Sequence, residues 1–358
     1  MSRRELNRAT LARQSLLTRS SSNAAEMIEH LVGMQAQNHN DPYYALWSRL
    51  ESFQPAELSD LVVSRGALRI PLLRSTIHLV TSRDALRLRS IFGPVLARTF
   101  GSTAFARDIA GVDREALLEM ARRLLEERPR TRAELGPLLA ERWPERVPAS
   151  LAQAATYLIP VVQVTPRGIW QRQGPAAWSS IENWLGLPLE PAGSPDDLVV
   201  RYLGAFGPAA QKDIRVWSGL TGLAEVVQRL RPRLRTFRDE KGIELFDLPD
   251  APRPDPETPA PPRFLPEYDN LLLSHSDRSR FFEPDVVPKG WVGNLLVDGI
   301  FAGGWKVARS KDRAELRIEL GIKLRRPDRE DVVAEGYRLL ALTDPAIGDH
   351  DVRVIDRE

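Results

Sequence analysis

Residues 113–127 read DREALLEMARRLLEE, 131–135 read TRAEL, and 161–173 read VVQVTPRGIWQRQ; the order of these stretches decides the fold. Asp113 has the side chain and position to cap the first as a helix. Thr131 and Glu134 stand at capping-box spacing and open a second helix. Pro148 opens a third, over about 148–159. The last stretch alternates around Pro-Arg-Gly, which reads as a β-hairpin. Three short helices followed by a hairpin make a winged helix-turn-helix.

The same order recurs on both sides. Over 194–247, SPDDLVVRYLGAFG is a helix capped by Ser194, PAAQKDIRVWSG and LTGLAEVVQRLRPRL are two more, and LRTFRDEKGIELFDL turns at Asp239–Gly242. Over 22–80, helices are expected near 23–34, 41–51 and 55–65, with paired strands in ALRIPLLRSTIHLV. Recurrence of order, spacing and turn chemistry is what makes the pattern specific. APRPDPETPAPPR, 251–263, has six prolines and reads as a semi-rigid linker. Beyond it, VGNLLVDGIFAGGWKVAR and AELRIELGIKL alternate with period two, and DREDVVAEGYRLLALT reads as a closing helix capped by Asp328. The expected class is α+β: three tandem winged helix-turn-helix units (1–110, 111–190, 191–250), the linker 251–263, and a C-terminal β-rich domain, 264–358.

Composition narrows the function. The 358 residues are 42% hydrophobic and 27% charged, and no apolar run approaches the length of a membrane span. The polar start, MSRRELNRATLARQ, lacks a secretory pattern, so a cytoplasmic protein with no membrane partner is expected. The absence of cysteine excludes disulfides and thiolate chemistry. Five histidines lie singly, without metal-ligand spacing, so neither metal nor cofactor is expected. Net charge is only +2, but residues 1–110 hold 14 Arg against 9 acidic residues, an excess that suits an anionic partner. Only six of the 50 cations are lysine; arginine forks fit phosphates and base edges, although a GC-rich genome produces the same bias.

GMQAQNHND, 33–41, concentrates neutral hydrogen-bonding side chains between two helices. If extended there, Gln35 and Gln37 point to one side, and two amides offer donors and acceptors enough to orient one water without adding charge. A polar helix end satisfying loose carbonyls has the same composition. In RSTIHLV, 74–80, Arg74, Thr76 and His78 would share one strand face and meet phosphates or base edges, or form a solvated face. SHSDRSR, 274–280, offers His275, Arg278 and Arg280 as a phosphate grip, or an ordinary loop with an internal Asp–Arg pair. RSKDR, 309–313, sits at an expected hairpin tip, with Arg309, Lys311 and Arg313 able to enter a groove or simply to solvate a turn. No Gly-rich phosphate loop, no GxSxG elbow and no acid/base carboxylate pair is found.

LVGMQAQ, RSTIHLV and FLPEYDNLLL, in that order, make the chain resemble the AlkZ/YcaQ-type winged-helix DNA glycosylases over nearly its full length. The resemblance implies three tandem winged helices and a β-rich part enclosing a DNA channel. It also implies excision of N7-alkylated purines, chiefly guanine, including bulky or crosslinked adducts. The family's catalytic motif matches at Gln35 and Gln37, with Gln in both places as in the AlkZ-like branch. Members of that branch often protect bacteria that make an alkylating toxin. The implied partner is double-stranded DNA carrying alkylated purines; three units in one chain need no second copy, so a monomer is expected.

Elementary chemistry agrees. N7 alkylation makes guanine cationic, so it departs neutral without a general acid, and the sugar needs only an aligned water. No lysine precedes Lys212, so a Schiff-base lyase step near the motif has no nucleophile. A crosslinked base resists full extrusion, which favours an open site with a wedging hairpin, placed at 309–313. Two other readings compete: a transcriptional regulator without catalysis, and a catalytically dead lesion sensor.

Overall fold

The computed structural model describes residues 1–283, 286 and 293–356. One element order appears three times. Helix Ala24–His30, strand β1 (Met34–Gln35), helices Asp41–Arg49 and Pro55–Val63, and strands β2 (Ala67–Pro71) and β3 (Ile77–Thr81) form the first set. The second is helix Arg114–Glu127, β4 (Arg130–Thr131), helices Arg132–Ala140 and Pro148–Leu158, then β5 (Val161–Gln163) and β6 (Ala177–Ser180). The third is helix Asp196–Phe206, helices Gln211–Ser218 and Leu223–Leu230, and the hairpin of β7 (Arg235–Arg238) and β8 (Glu244–Asp247). A single Ala209–Phe246 bridge replaces the short first strand there.

The caps read from sequence form: the Asp113 side chain accepts from Ala116 N, and Thr131 and Glu134 make a reciprocal capping box. The third hairpin turns where expected, with Gly242 at φ +78° donating to Asp239 O.

The central hairpin differs from its expectation. Its second strand is Ala177–Ser180, and 164–176 is irregular. The reason is Trp170, which leaves the ladder to pack against Tyr43, tilted, and Tyr44, edge-on, of the first set, at centroid distances of 4.7 and 5.6 Å. Tyr43 donates from its hydroxyl to Gly168 O at 2.7 Å, fixing the excursion. The first two hairpins then join edge to edge through Arg69 and Gln163, giving one six-stranded sheet in the order β1-β3-β2-β5-β6-β4.

Several elements were not anticipated. Helix Arg3–Arg13 is closed by a Ser2–Glu5 capping box, and Arg13 makes a wholly buried bidentate ion pair with Asp247. Helix Ser82–Gly101 buries Ala85, Leu88, Phe92, Val95, Leu96 and Phe100, at helical spacing. It reaches the second set through Arg89, which donates to Tyr157 O and Ile159 O.

The C-terminal part is a five-stranded sheet: β9 (Arg263–Pro266), β10 (Gly293–Val297), β11 (Ile300–Arg309), β12 (Arg313–Leu320) and β13 (Asp349–Asp356), in the order β13-β12-β11-β10-β9. β13 runs parallel to β12, because helix Arg326–Thr343 crosses over between them. That helix starts at Arg326 with Pro327 in its first turn, so Asp328 is not its cap; its carboxylate pairs with Arg325 instead. Ser194 likewise lies one residue before the cap position, held by Pro195.

Two cores meet at the first set. Phe264, Leu295, Trp305 and Leu316 of the C-terminal sheet pack with Met34, Ala36, Tyr44 and Leu79. On the other side, Ile70 and Val80 pack with Tyr202, Phe206 and Trp217 of the third set. Among the described residues, no helix is long and apolar enough to cross a membrane.

Candidate active site

The helix that precedes the glutamines ends at His30, not near residue 34, because two successive residues turn left-handed. Val32 has φ +56° and Gly33 φ +89°. A side chain at 33 would meet Val80 Cγ1 at 2.6 Å, so only glycine lets the chain pass this close to β3. The next residues are therefore extended: Met34 faces Leu79 and Gln35 faces His78, and Ala36 N donates to Ile77 O at 2.8 Å. Met34 and Ala36 enter the core shared with the C-terminal sheet. Strand alternation turns Gln35 and Gln37 away from that core.

Gln35 is 7% exposed. Its Oε1 accepts from Arg74 Nη2 at 2.7 Å, while Arg74 Nη1 donates to Trp217 O at 3.0 Å. Because a guanidinium only donates, this contact fixes which way the amide lies: oxygen inward, Nε2 left without a partner among the described residues. Gln37 is exposed and its Oε1 accepts from Ile77 N at 3.3 Å, a long bond that leaves a lone pair free. Gln37 opens onto a cavity of about 520 Å³ between the first and second sets.

Arg74, Thr76 and His78 do not share a strand face. Arg74 and Ser75 are left-handed, at φ +53° and +60°, and the strand begins only at Ile77. The tight turn points Arg74 back at Gln35, whereas Thr76 folds its hydroxyl onto Leu73 O. Burial, and then the charge of Arg278, holds the Arg74 pKa down to about 10, still fully protonated at neutral pH. His78 is wholly buried beside Gln35; burial lowers its pKa to about 3, so it is a neutral ring, with Nδ1 toward Thr76 O and Nε2 unpartnered.

The three stretches that carry the family resemblance meet here. Gln35 holds Arg74, β1 pairs with the strand of His78, and Asn270 donates to Gly33 O at 2.9 Å. Asp269, beside it, makes a bidentate pair with Arg49 at 2.7 and 2.9 Å. The C-terminal part thus clamps the backbone of the glutamine motif.

The remaining expected site residues lie elsewhere. His275 is buried against Phe206 O and Ser274 Oγ. Arg280 is buried too, donating to Thr10 Oγ1 and Pro208 O. Arg278 lines a separate cavity of about 720 Å³ that also holds Lys212, Lys241, Asp239 and Asp277. The 309–313 turn is a hairpin tip, as expected. There Arg309 is tied to Asp344 and Arg313 to Asp351, while Lys311 is exposed. Sequence reasoning missed Asn270 and Gln163, whose types carry no signal without the fold.

A family model described as DNA glycosylase AlkZ-like matches residues 28–342. The chain belongs to the AlkZ-like DNA glycosylase family. Its activity class is therefore hydrolysis of the N-glycosyl bond in DNA. The DNA glycosylase AlkZ of Streptomyces sahachiroi has a similar fold: TM-score 0.75, 18% identity, 99% of this chain and 100% of that one covered. No curated protein matches the sequence.

Proposed function

We propose that this glycosylase removes N7-alkylguanine from duplex DNA, bulky or crosslinked adducts included, by attack of a water held between Gln35 and Gln37. The observation that carries the reading is the pinned Gln35 amide beside an exposed Gln37. Gln35 presents Nε2 as a donor to the water oxygen; Gln37 keeps an acceptor lone pair for one of its protons. The C1′–N9 bond breaks with its electron pair moving onto the cationic purine, which leaves neutral. The water oxygen bonds to C1′, and its proton passes to solvent. No acid is needed at the leaving group, and a neutral pair of amides suffices to align the nucleophile. Such alignment is worth on the order of several kcal/mol.

Arg74 sets a cation directly behind Gln35, which suits the DNA backbone. Lys311 at the hairpin tip is exposed and makes no ion pair with a described residue, unlike Arg309 and Arg313 of the same proposed wedge. The reaction is monofunctional, since among the described residues no lysine lines the cavity onto which Gln37 opens, and the working form is a cytoplasmic monomer. Protection against a DNA-alkylating natural product is the role such chemistry serves.

The test is release of free N7-methylguanine from methylated duplex DNA. Wild type should release it and leave intact abasic strands. The double variant Gln35→Ala/Gln37→Ala, assayed well below its melting temperature because losing the Arg74 contact costs about 1–3 kcal/mol, should lose release by on the order of 100-fold or more. Full release by that variant removes the proposed site; strand cleavage by wild type removes the monofunctional assignment.

A further inference from the structure

The cavity onto which Gln37 opens is charged in an unusual way. Its lining contains one cation, Arg132, and no carboxylate. The larger cavity beside Arg278 is mixed, with Asp213, Asp239 and Asp277 among its cations. Arg132 makes no ion pair with any described residue. Its Nε donates to the neutral Thr156 Oγ1 at 2.8 Å, and its guanidinium lies 5.2 Å over the Trp178 ring. Both Nη groups are left without a protein partner among the described residues. Burial lowers the pKa of the group, but it stays a cation at neutral pH.

A half-buried guanidinium held by Nε, with both Nη atoms free, is shaped to take two oxygens of one anion. Its surroundings supply neutral hydrogen-bonding groups: Gln37, Gln153 and Gln163 line the cavity, as does Ser75. The Ser75 Oγ is buried and has no hydrogen-bond partner among the described residues. At about 520 Å³ the space is too large for a lone ion and admits a sugar with its phosphate. It begins at Gln37 itself, so a strand whose sugar lies at the glutamine pair can run directly into it.

We propose that Arg132 binds a DNA backbone phosphate flanking the nucleotide under attack, in the groove between Gln37 and the second helical set. This rests on the reading of Gln37 as part of the active site, but its test is separable. The second set then does more than extend the sheet: it grips the strand whose sugar the first set attacks.

The experiment is a fluorescence-anisotropy titration of undamaged duplex DNA across a salt series. Arg132→Gln should weaken binding about tenfold and lower the slope of log Kd against log salt by about one. Arg132→Lys should keep the slope, since the charge remains, and lose part of the affinity. Gln153→Glu, which sets a negative charge in the same cavity, should weaken binding even if Arg132→Gln folds poorly. Were Arg132 only a prop for Trp178 and Thr156, Arg132→Gln would lower the melting temperature and leave the salt slope as in wild type. That outcome, or unchanged binding by Gln153→Glu, overturns the proposal. Wild-type release of alkylguanine is read separately. If wild type fails to release it while Arg132→Gln flattens the slope, the phosphate site stands and the substrate assignment falls.

Discussion

The Arg74 guanidinium donates to the Gln35 side-chain carbonyl across 2.7 Å and to Trp217 O across 3.0 Å. One side chain thus sets the orientation of the first glutamine and ties it to the third helical set. Removing it should release the amide and leave Trp217 O unpaired. Arg74→Ala is expected to cut single-turnover excision at least tenfold and to cost about 1–3 kcal/mol of stability. Arg74→Lys, with one point charge in place of a fork, cannot make both bonds and should recover only part of the rate. Single-turnover excision kinetics with thermal melts checks both; an unchanged excision rate for Arg74→Ala would show that Gln35 needs no fixed orientation.

Asp41 lies four residues past Gln37, wholly buried, with neither carboxylate oxygen hydrogen-bonded among the described residues. Burial, followed by the charges of Glu267 and Asp269, pushes its pKa up to about 8; Arg69 only partly opposes this. The folded protein therefore keeps a proton there that the unfolded chain releases near pH 4. Stability from this group is full below that pH and falls as pH rises toward 8, by on the order of 1 kcal/mol per unit. Asp41→Asn supplies a permanently neutral side chain of the same shape. It should melt like wild type at pH 4 and clearly higher at pH 8. Equal melting at both values would mean that the carboxylate ionises without penalty.

How much of this was legible in the sequence depends on how local each signal was. Asp113, the Thr131–Glu134 box and the Gly242 turn act within four residues, so their reading needed no tertiary knowledge. The glutamine spacing was legible for the same reason, and the resemblance to the family rested on short contiguous stretches. Trp170 was misread because its alternation fits a strand equally well, and only distant Tyr43 and Tyr44 decide otherwise. Arg74 reads as a strand-face residue because nothing in RSTIHLV announces two left-handed residues; neither Arg74 nor Ser75 is a glycine. Arg280 and His275 looked like surface phosphate ligands, since a buried arginine bonded to neutral oxygens has no sequence signature. Helix Ser82–Gly101 is legible from its own apolar spacing, which the stronger strand pattern before it masks.

His78 and His275 are both buried as neutral rings, their pKa values lowered first by burial and then by Arg74 and Arg280 respectively. The unfolded chain takes up these protons near pH 6.5, whereas the folded protein resists them down to about pH 3. Stability from each is present above pH 6.5 and is lost as pH falls through that window, by on the order of 1 kcal/mol per unit for each ring. Melting temperature should begin to fall below about pH 6.5, before most carboxylates titrate. His78→Gln should be less stable at pH 7.5 yet lose less on going to pH 5. Asp41 gains stability as pH falls over the same range, so the histidine contribution is read from the difference between variant and wild type: an equal loss by His78→Gln and wild type between pH 7.5 and 5 would contradict the buried neutral assignment.

At the 309–313 hairpin, three cations behave differently. Arg309 Nε donates to Asp344 Oδ1 at 2.6 Å, and Arg313 Nη2 to Asp351 Oδ2 at 2.5 Å. Their charges are largely spoken for by protein acids. Lys311 is exposed at the tip and makes no ion pair with a described residue. If this turn wedges the duplex, Lys311 should supply most of its salt-sensitive attraction, while the arginines hold the turn rigid. Lys311→Ala is therefore expected to lower the log–log salt slope by about one and leave melting unchanged. Arg309→Ala should lower the melting temperature, because Asp344 is buried and loses its partner, with a smaller effect on the slope. The reverse ranking would move the DNA contact from the tip to the strand ends.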